Sequence, residues 1–214
     1  MDNIEKIREG LRDRPVGTID RHRFFSVTIP LVVTEKGLCL MFEVRSSKLK
    51  HQPGDICFPG GMIEAGETPL ECALRETEEE TGIKASDIKV LGQFDTLHSF
   101  SGYTLFTFPA EIKEKDFRAA VPGPDEVEEL FLVPADFFAE NEAEVYDVDV
   151  FSDVDDFPYE ETGISPDYNW RVGKNILPVY KYENRVIWGV TARIVRSFSR
   201  EFFKGFLRGE ANRP

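Results

Sequence analysis

The sequence predicts an α/β protein folded as a single domain. Its 214 residues suit one domain with additions, at roughly 150 residues per domain. Hydrophobic residues make up 41% and aromatic residues 12% of the chain, including 18 Phe, which is ample material for a packed core. Short β-branched segments alternate with about three helical patterns, and this mixture is typical of α/β folds.

The first third of the chain carries one helical pattern and one hairpin pattern. Residues 3–13 place Ile, Ile and Leu at helical spacing, so we expect a short helix that packs on the outside of the domain. Residues 24–34 and 38–44 are apolar and β-branched, and Glu-Lys-Gly separates them, which predicts a β-hairpin. Residues 45–61 are rich in Gly, Pro and basic side chains, and we predict a loop there.

Further strands are predicted beyond a central helix. Residues 88–95 and 103–112 have strand-like composition, and a Val-Pro-Gly-Pro turn at 121–124 precedes another strand near 127–133. Residues 177–188 indicate a second hairpin that turns near Glu183-Asn184. A C-terminal amphipathic helix is predicted from apolar side chains that recur every fourth residue, at Val190, Ile194, Phe198, Phe202 and Phe206.

The segment 140–167 differs from the rest in being strongly acidic. Val and Asp alternate over 147–150, which favours a solvated edge strand followed by a loop. An acidic metal-binding insertion is the alternative, although no carboxylate spacing there repeats a known loop. We therefore treat the segment as an insertion into a single domain that spans residues 1–214.

Charge and cysteine content restrict the partners and the compartment. The net charge of −13 disfavours nucleic acid, whose phosphates the chain would repel, so cations would have to intervene for any phosphate ligand. No run approaches the ~20 apolar residues of a membrane span, and the charged N-terminus lacks the apolar core of a secretory signal. Three distant cysteines form no CxxC pair, so a reducing cytoplasm is the expected compartment. The sequence is also compatible with a homodimer.

The central helix has clear end signals. Thr68 suits the N-cap, Pro69 the first helical position, and Glu71 completes a capping box. Gly82 suits the left-handed position just beyond the last turn. These signals predict a helix from about residue 69 to residue 81.

One face of this helix is predicted to carry three carboxylates. At ~100° per residue, Glu76, Glu79 and Glu80 share a narrow face, and Arg75 lies one turn from Glu79, where it can hold that carboxylate in place. The same helical spacing places the small side chains of Cys72 and Ala73 on the flanks of this face, where they would leave room for a ligand. The side chains predicted to face the core are Leu70, Leu74, Thr77 and Thr81.

Three ionised carboxylates on one helix face repel one another, and a divalent cation would offset that repulsion. Oxygen ligands favour hard cations, so Mg²⁺ or Mn²⁺ are the expected cofactors. A solvated acidic helix is the alternative. The capped helix ends, the adjoining Gly60-Gly61 loop and the directed arginine favour the cation site.

The segment resembles the Nudix box, G-x5-E-x7-R-E-U-x-E-E-x-G-U, where U is a bulky aliphatic residue. The matching positions are Gly61, Glu67, Arg75, Glu76, Glu79, Glu80, Gly82 and Ile83, and Thr77 stands where an aliphatic residue is usual. The resemblance implies an α/β/α sandwich with a mixed sheet and hydrolysis of a nucleoside diphosphate linked to another moiety. It also implies that Glu76, Glu79 and Glu80, with Arg75 beside them, form the catalytic group and bind metal or activate water. The Gly61 carbonyl would be a further metal ligand, and Glu67 would support the geometry of loop and helix. The general base stays open between Glu76, the first choice, and a carboxylate from a distant loop.

Three other segments resemble the coenzyme A diphosphatase branch of that family. One is the basic loop before the box, where the matching residues are Arg45, Ser46, Leu49, Gly54, Ile56 and Phe58 through Gly61. The others are Ser101-Gly102-Tyr103 and the Ile-Trp-Gly-Val-Thr-Ala run at 187–192. The resemblance implies coenzyme A or its derivatives as substrate, and the expected substrate-binding residues are Arg45, Ser46, Lys48, Lys50, Gly60 and Tyr103.

Other functions stay open at this stage. A Nudix hydrolase could instead act on ADP-ribose, NADH or a dinucleoside polyphosphate. A non-enzymatic nucleotide-sensing module would typically lose box glutamates, and all three metal-facing glutamates are present here. An RNA-processing diphosphatase is disfavoured by the net charge.

Overall fold

A mixed β-sheet forms the centre of the fold. The computed structural model of the chain describes residues 2–152 and 154–204. The long strands are β1 (Arg23–Thr34), β2 (Gly37–Arg45), β7 (Tyr103–Lys113) and β8 (Val127–Pro134). β1 pairs antiparallel with β2 and parallel with β7, and β8 pairs antiparallel with the other edge of β2. The predicted first hairpin and the predicted strands at 103–112 and 127–133 are thereby confirmed.

Four short strands extend this sheet near its ends. β3 (Ile56–Cys57) pairs with β2 and β4 (Gly60–Met62) pairs with β1, whereas β5 (Lys89–Val90) and β6 (Leu97–Ser99) pair with β7. The predicted loop at 45–61 therefore contains β3 and the start of β4, and the predicted strand at 88–95 shortens to β5. These strands form because neighbouring long strands offer backbone partners, which local composition does not reveal.

Helices and a second sheet complete the architecture. The described α-helices are α1 (Asn3–Arg12), α2 (Pro69–Thr81), α3 (Glu114–Arg118), α4 (Ala135–Glu140), α5 (Tyr159–Thr162) and α6 (Gly189–Phe198). A short 3-10 helix lies at Ala85–Asp87, and a π-helical turn at Ser199–Phe203 follows α6. The second sheet is antiparallel, in the order β11 (Arg185–Trp188), β10 (Gly173–Tyr182), β9 (Glu144–Val150). The predicted second hairpin corresponds to β10 and β11. In the predicted acidic insertion, β9 is an exposed edge strand. Phe206, the last residue of the predicted C-terminal pattern, lies outside the described residues.

Two apolar layers hold the helices on opposite faces of the central sheet. Side chains alternate between the faces along each strand. On β2, Leu40 and Phe42 belong to the cluster with α4 and α6, whereas Met41 belongs to the smaller cluster beside α2. Both faces of β2 are therefore buried, which explains its unbroken apolar run and gives the α/β/α sandwich that the sequence predicted.

The N-terminal helix does not pack as expected. α1 forms close to the predicted range, but none of its residues is buried, and its apolar stripe of Ile4, Ile7 and Leu11 is exposed. The stripe shows that a helix can form, whereas the surface needed to cover it depends on tertiary structure. Within the described part of the chain, no helix is both long and apolar enough to cross a membrane.

Both ends of α2 form as predicted and fix the helix in place. The Thr68 hydroxyl accepts from the Glu71 amide at 3.3 Å, and the Glu71 carboxylate accepts from the Thr68 amide at 2.8 Å. Gly82 is left-handed with φ of 72°, and its amide donates to the Glu78 carbonyl. A Cβ at Gly82 would lie 2.6 Å from the Val121 carbonyl oxygen, so the loop before β8 packs directly on this turn.

We predict that Gly82→Ala destabilises the protein more than Gly163→Ala. Both glycines have similar positive φ, 72° and 69°, but nothing lies within 4 Å of a Cβ added at Gly163. The left-handed backbone alone costs a non-glycine residue about 1–2 kcal/mol. Urea denaturation should show roughly that loss for Gly163→Ala and a larger loss for Gly82→Ala. Equal losses would mean that the contact with the Val121 carbonyl does not constrain the turn.

Candidate active site

The glutamates of α2 meet the Gly60-Gly61 backbone. The Gly60 amide donates to Oε2 of Glu80 at 2.8 Å. A Cβ at Gly61 would lie 2.2 Å from Oε1 of Glu76, so only glycine lets that carboxylate lie against the loop. The side chain of Glu79 is 56% exposed and lies farther out. Two of the three predicted glutamates are thus held directly against the loop.

The buried side of α2 differs in part from the helical-wheel prediction. Thr77 and Thr81 are buried as expected, but Leu70, assigned to the core stripe, is exposed in the first turn. Cys72 and Ala73, assigned to the flanks of a ligand site, are fully buried instead. The reason is that β4 packs beside α2, and the Cys72 thiol points at the Gly61 carbonyl with an Sγ–O distance of 3.6 Å.

Arg75 connects the loop before α2 with the carboxylate face. Its Nε and Nη2 donate to the two carboxylate oxygens of Glu67 at 2.8 and 3.0 Å. Its Nη1 donates to Glu76 at 2.8 Å and to Glu79 at 3.1 Å. The hydrogen bonds from Arg75 lower the pKa of Glu67 to about 2. Helical spacing predicts the contact with Glu79, which lies four residues after Arg75. It does not predict the contact with Glu67, which precedes the helix, or that with Glu76, which is adjacent in sequence.

A buried glutamate on β2 was not predicted as part of the site. Glu43 is 1% exposed, and its Oε1 accepts from the Cys57 thiol at 3.1 Å. Glu80 is 5% exposed; burial raises its pKa, and the charge of Glu43 is the next cause. Burial likewise raises the pKa of Glu43. A charged residue within an otherwise apolar strand is the sequence signal that could have identified it.

The loop before β8 brings a further carboxylate towards the site. Burial raises the pKa of Glu76, and the charges of Glu79 and Glu126 add to that rise. The loop is held in place by the Gly123 amide, which donates to the Glu80 carbonyl at 3.2 Å, and by the Ser46 amide, which donates to the Glu126 carbonyl at 2.8 Å. Glu126 is therefore a distant-loop carboxylate within electrostatic range of the box glutamates.

A cavity of about 500 Å³ opens beside the Gly60-Gly61 loop. Arg45, Gly60 and Tyr103, all predicted to bind substrate, line it. Its other walls come from segments far apart in sequence, and include Phe25, Phe58, Ser101, Trp188, Gly189 and Thr191. Arg23 and Arg193 add two further cationic side chains that sequence reasoning did not select.

The other predicted substrate-binding residues lie outside this cavity. Ser46 is buried, and its hydroxyl donates to the Pro124 carbonyl at 3.3 Å. Lys48 pairs with Asp125 at 2.9 Å, and Lys50 is exposed. The loop turns back on itself, with the Gly54 amide bonded to the Arg45 carbonyl, and residues 46–48 bond to residues 124–128 rather than lining the cavity. Adjacency to Arg45 in sequence did not reveal this reversal.

The donor chemistry of the site fits a hard divalent cation. The carboxylates of Glu76, Glu79 and Glu80 and the carbonyl of Gly61 are all oxygen donors, which Mg²⁺ and Mn²⁺ prefer. Oε2 of Glu43 is buried without a hydrogen-bond partner. Among the residues that the structure describes, no group of three or more His, Cys, Asp or Glu is already arranged to hold a metal ion. Arg75 instead neutralises part of the carboxylate charge.

Comparisons with known proteins agree with this geometry. The NUDIX domain family model matches residues 22–152. Peroxisomal coenzyme A diphosphatase NUDT7 of Mus musculus is 38% identical over 139 residues, or 63% of this chain and 58% of that protein. Nudix hydrolase 3 of Caenorhabditis elegans is 31% identical over 138 residues, or 64% of this chain and 58% of that protein. The matches therefore span less than two thirds of the length of these two relatives.

Longer matches lead to the same family. The protein named uncharacterized Nudix hydrolase NudL, from Yersinia enterocolitica, is 31% identical over 183 residues, or 82% of this chain and 80% of that protein. The crystal structure of a MutT/nudix family protein from Enterococcus faecalis aligns with a TM-score of 0.51 at 15% identity, covering 95% of this chain and 71% of that one. That likeness concerns the fold alone. With a family model matching most of its length and the box glutamates gathered at a glycine loop, this chain belongs to the Nudix hydrolase family.

Proposed function

We propose that this Nudix hydrolase cleaves the diphosphate bond of coenzyme A or an acylated derivative, giving 3′,5′-ADP and 4′-phosphopantetheine or its acyl form. One observation carries the proposal: the three segments that resemble coenzyme A diphosphatases contribute to one cavity beside the carboxylate helix. They are residues 45–61, Ser101–Tyr103 and 187–192. The name of the mouse relative supports the same substrate class.

The cavity suits a nucleotide of this kind in size and charge. Ligand sites commonly measure about 300–1,000 Å³, and this one measures about 500 Å³. Arg23, Arg45 and Arg193 line it in a chain whose net charge is −13. Because Arg45 lines the cavity, its guanidinium group can contact a phosphate oxygen of a ligand bound there. We assign the 3′-phosphate to Arg45.

We assign cation binding and proton transfer to the residues around the Gly60-Gly61 loop. A bound Mg²⁺ or Mn²⁺ would neutralise the diphosphate and lower the pKa of a water molecule. Glu76, Glu79, Glu80 and the Gly61 carbonyl would hold that ion, and Arg75 keeps Glu76 and Glu79 oriented. Glu76 is our first choice as the base that accepts a proton from the attacking water, and Glu126 is the distant-loop alternative.

A reducing compartment such as the cytoplasm is part of this proposal. Cys39, Cys57 and Cys72 are free thiols in the structure. The mouse relative is named as a peroxisomal protein. The homodimer stays a prediction.

A substrate panel with product identification tests the proposed function. Coenzyme A, acetyl-coenzyme A, ADP-ribose, NADH and diadenosine tetraphosphate would be compared at matched concentrations with Mg²⁺ or Mn²⁺. We expect the highest kcat/KM for coenzyme A or its acyl derivative, and no turnover in excess EDTA. A clear preference for one of the other substrates would replace the coenzyme A assignment, and full activity in EDTA would remove the metal requirement.

We predict that Glu79→Gln and Glu80→Gln each lower kcat by at least about 100-fold, because each removes a charged oxygen donor from the cation site. Glu78→Gln is the matched control, since Glu78 lies on the same helix but is exposed, and its carboxylate accepts from the Ala85 amide rather than facing the glycine loop. Circular dichroism should show all three variants folded. Wild-type turnover in either of the first two variants would contradict the assigned role.

We predict that Arg45→Ala raises KM for coenzyme A by about tenfold or more, the loss of a charge-assisted phosphate contact. KM for 3′-dephospho-coenzyme A should change much less. Lys48→Ala should leave both values unchanged, because Lys48 pairs with Asp125 outside the cavity. Equal losses on both substrates with Arg45→Ala would mean that Arg45 does not contact the 3′-phosphate.

A further inference from the structure

Glu43 occupies an unusual position for a carboxylate. It lies on β2 between Phe42 and Val44, which both pack in the cluster with α4 and α6, and only 1% of it is exposed. Burying a carboxylate in a protein interior is costly unless it is paired, hydrogen-bonded or bound to a metal. Glu43 therefore requires either a compensating partner or a proton.

The contacts of Glu43 satisfy only half of its carboxylate. Oε1 accepts from the Cys57 thiol at 3.1 Å, and Cys57 lies opposite Glu43 in the β2–β3 pair. Oε2 is buried with no hydrogen-bond partner. Arg45 follows two positions later, yet its Nε is also buried and unpartnered, and within the described residues no ion pair between Arg45 and Glu43 is formed. One carboxylate oxygen is thus left without a partner at this point of the sheet.

The surroundings of Glu43 are the cation site already described. Cys57 donates its thiol hydrogen to Glu43. Three residues further along the chain, the Gly60 amide donates to Glu80. Among neighbouring charges, that of Glu43 contributes most to raising the pKa of Glu80. The charges of Glu126 and Glu76 contribute in turn to raising the pKa of Glu43. Glu43, Glu76 and Glu80 therefore lie near the Gly60-Gly61 loop, and α2 supplies only the last two.

We propose that Glu43 is a further ligand of the divalent-cation site, binding the ion through its unpartnered Oε2 from the sheet side of Glu80. This inference rests on the proposed metal-dependent function. A cation in this position would supply the missing partner for Oε2 and offset the repulsion between Glu43 and Glu80. It would also explain why an otherwise apolar strand retains a carboxylate.

Cation binding by the metal-free, full-length chain tests the inference without any activity assay. Titration calorimetry with MnCl₂ and electron paramagnetic resonance of free Mn²⁺ would compare the wild-type chain with Glu43→Gln. The matched control is Glu35→Gln, which removes the same charge from the exposed turn between β1 and β2. We expect Glu43→Gln to weaken Mn²⁺ binding at least about tenfold and Glu35→Gln to leave it unchanged.

Melting temperatures separate this role from a structural one. The metal-free Glu43→Gln variant should melt at or above the wild-type temperature, because a neutral amide costs less to bury than a carboxylate. Its Mn²⁺-induced rise in melting temperature should be smaller. Lost Mn²⁺ binding together with a metal-free melting temperature well below wild type would overturn the inference in favour of a structural role.

Two further outcomes distinguish this inference from the proposed function. If Glu80→Gln loses Mn²⁺ while Glu43→Gln binds it as the wild type does, the proposed metal centre stands and Glu43 only shares a proton with Glu80. If the wild-type chain binds no Mn²⁺ in either measurement, the proposed metal centre and the role of Glu43 both fall.

Discussion

Repulsion between carboxylates gathered around two glycines is the constraint on which this site depends. Glu76 lies against Gly61, Glu80 accepts from the Gly60 amide, and Glu43 approaches from the sheet side. Arg75 offsets part of this charge from the outer side of α2. A cluster of this kind is stable only when cations or protons compensate it, so the proposed cation site would also relieve the repulsion that these carboxylates impose on the fold.

The central sheet holds this cluster in place. The parallel pairing of β1 with β7 and the antiparallel pairing of β1 with β4 seat the glycine loop on the strand that also supports α2. The capping box at Thr68 and the left-handed Gly82 fix the ends of the helix. Because each end is fixed by backbone geometry, the carboxylate face cannot rotate away from the loop without breaking hydrogen bonds.

Long-range packing assembles the cavity that we propose as the substrate site. Tyr103 begins β7, Trp188 ends β11, and Arg45 ends β2, yet all three line one space beside the box. Ser46 and Lys48, next to Arg45 in sequence, instead bond to Pro124 and Asp125 in the loop before β8. Arg45 therefore lines the cavity, whereas Ser46 and Lys48 hold the loop that carries Glu126.

Local signals in the sequence determined α2, its caps, its carboxylate face and the main hairpins, because each depends on hydrogen bonds or periodicity within a few residues. The family resemblance added the sandwich fold and the expectation that the glutamates bind metal. Only the tertiary structure decided that Glu67 shares Arg75 with the box glutamates, that Glu43 is buried beside Glu80, and that α1 is uncovered. These features depend on which distant surfaces meet, and no spacing along a single chain contains that information.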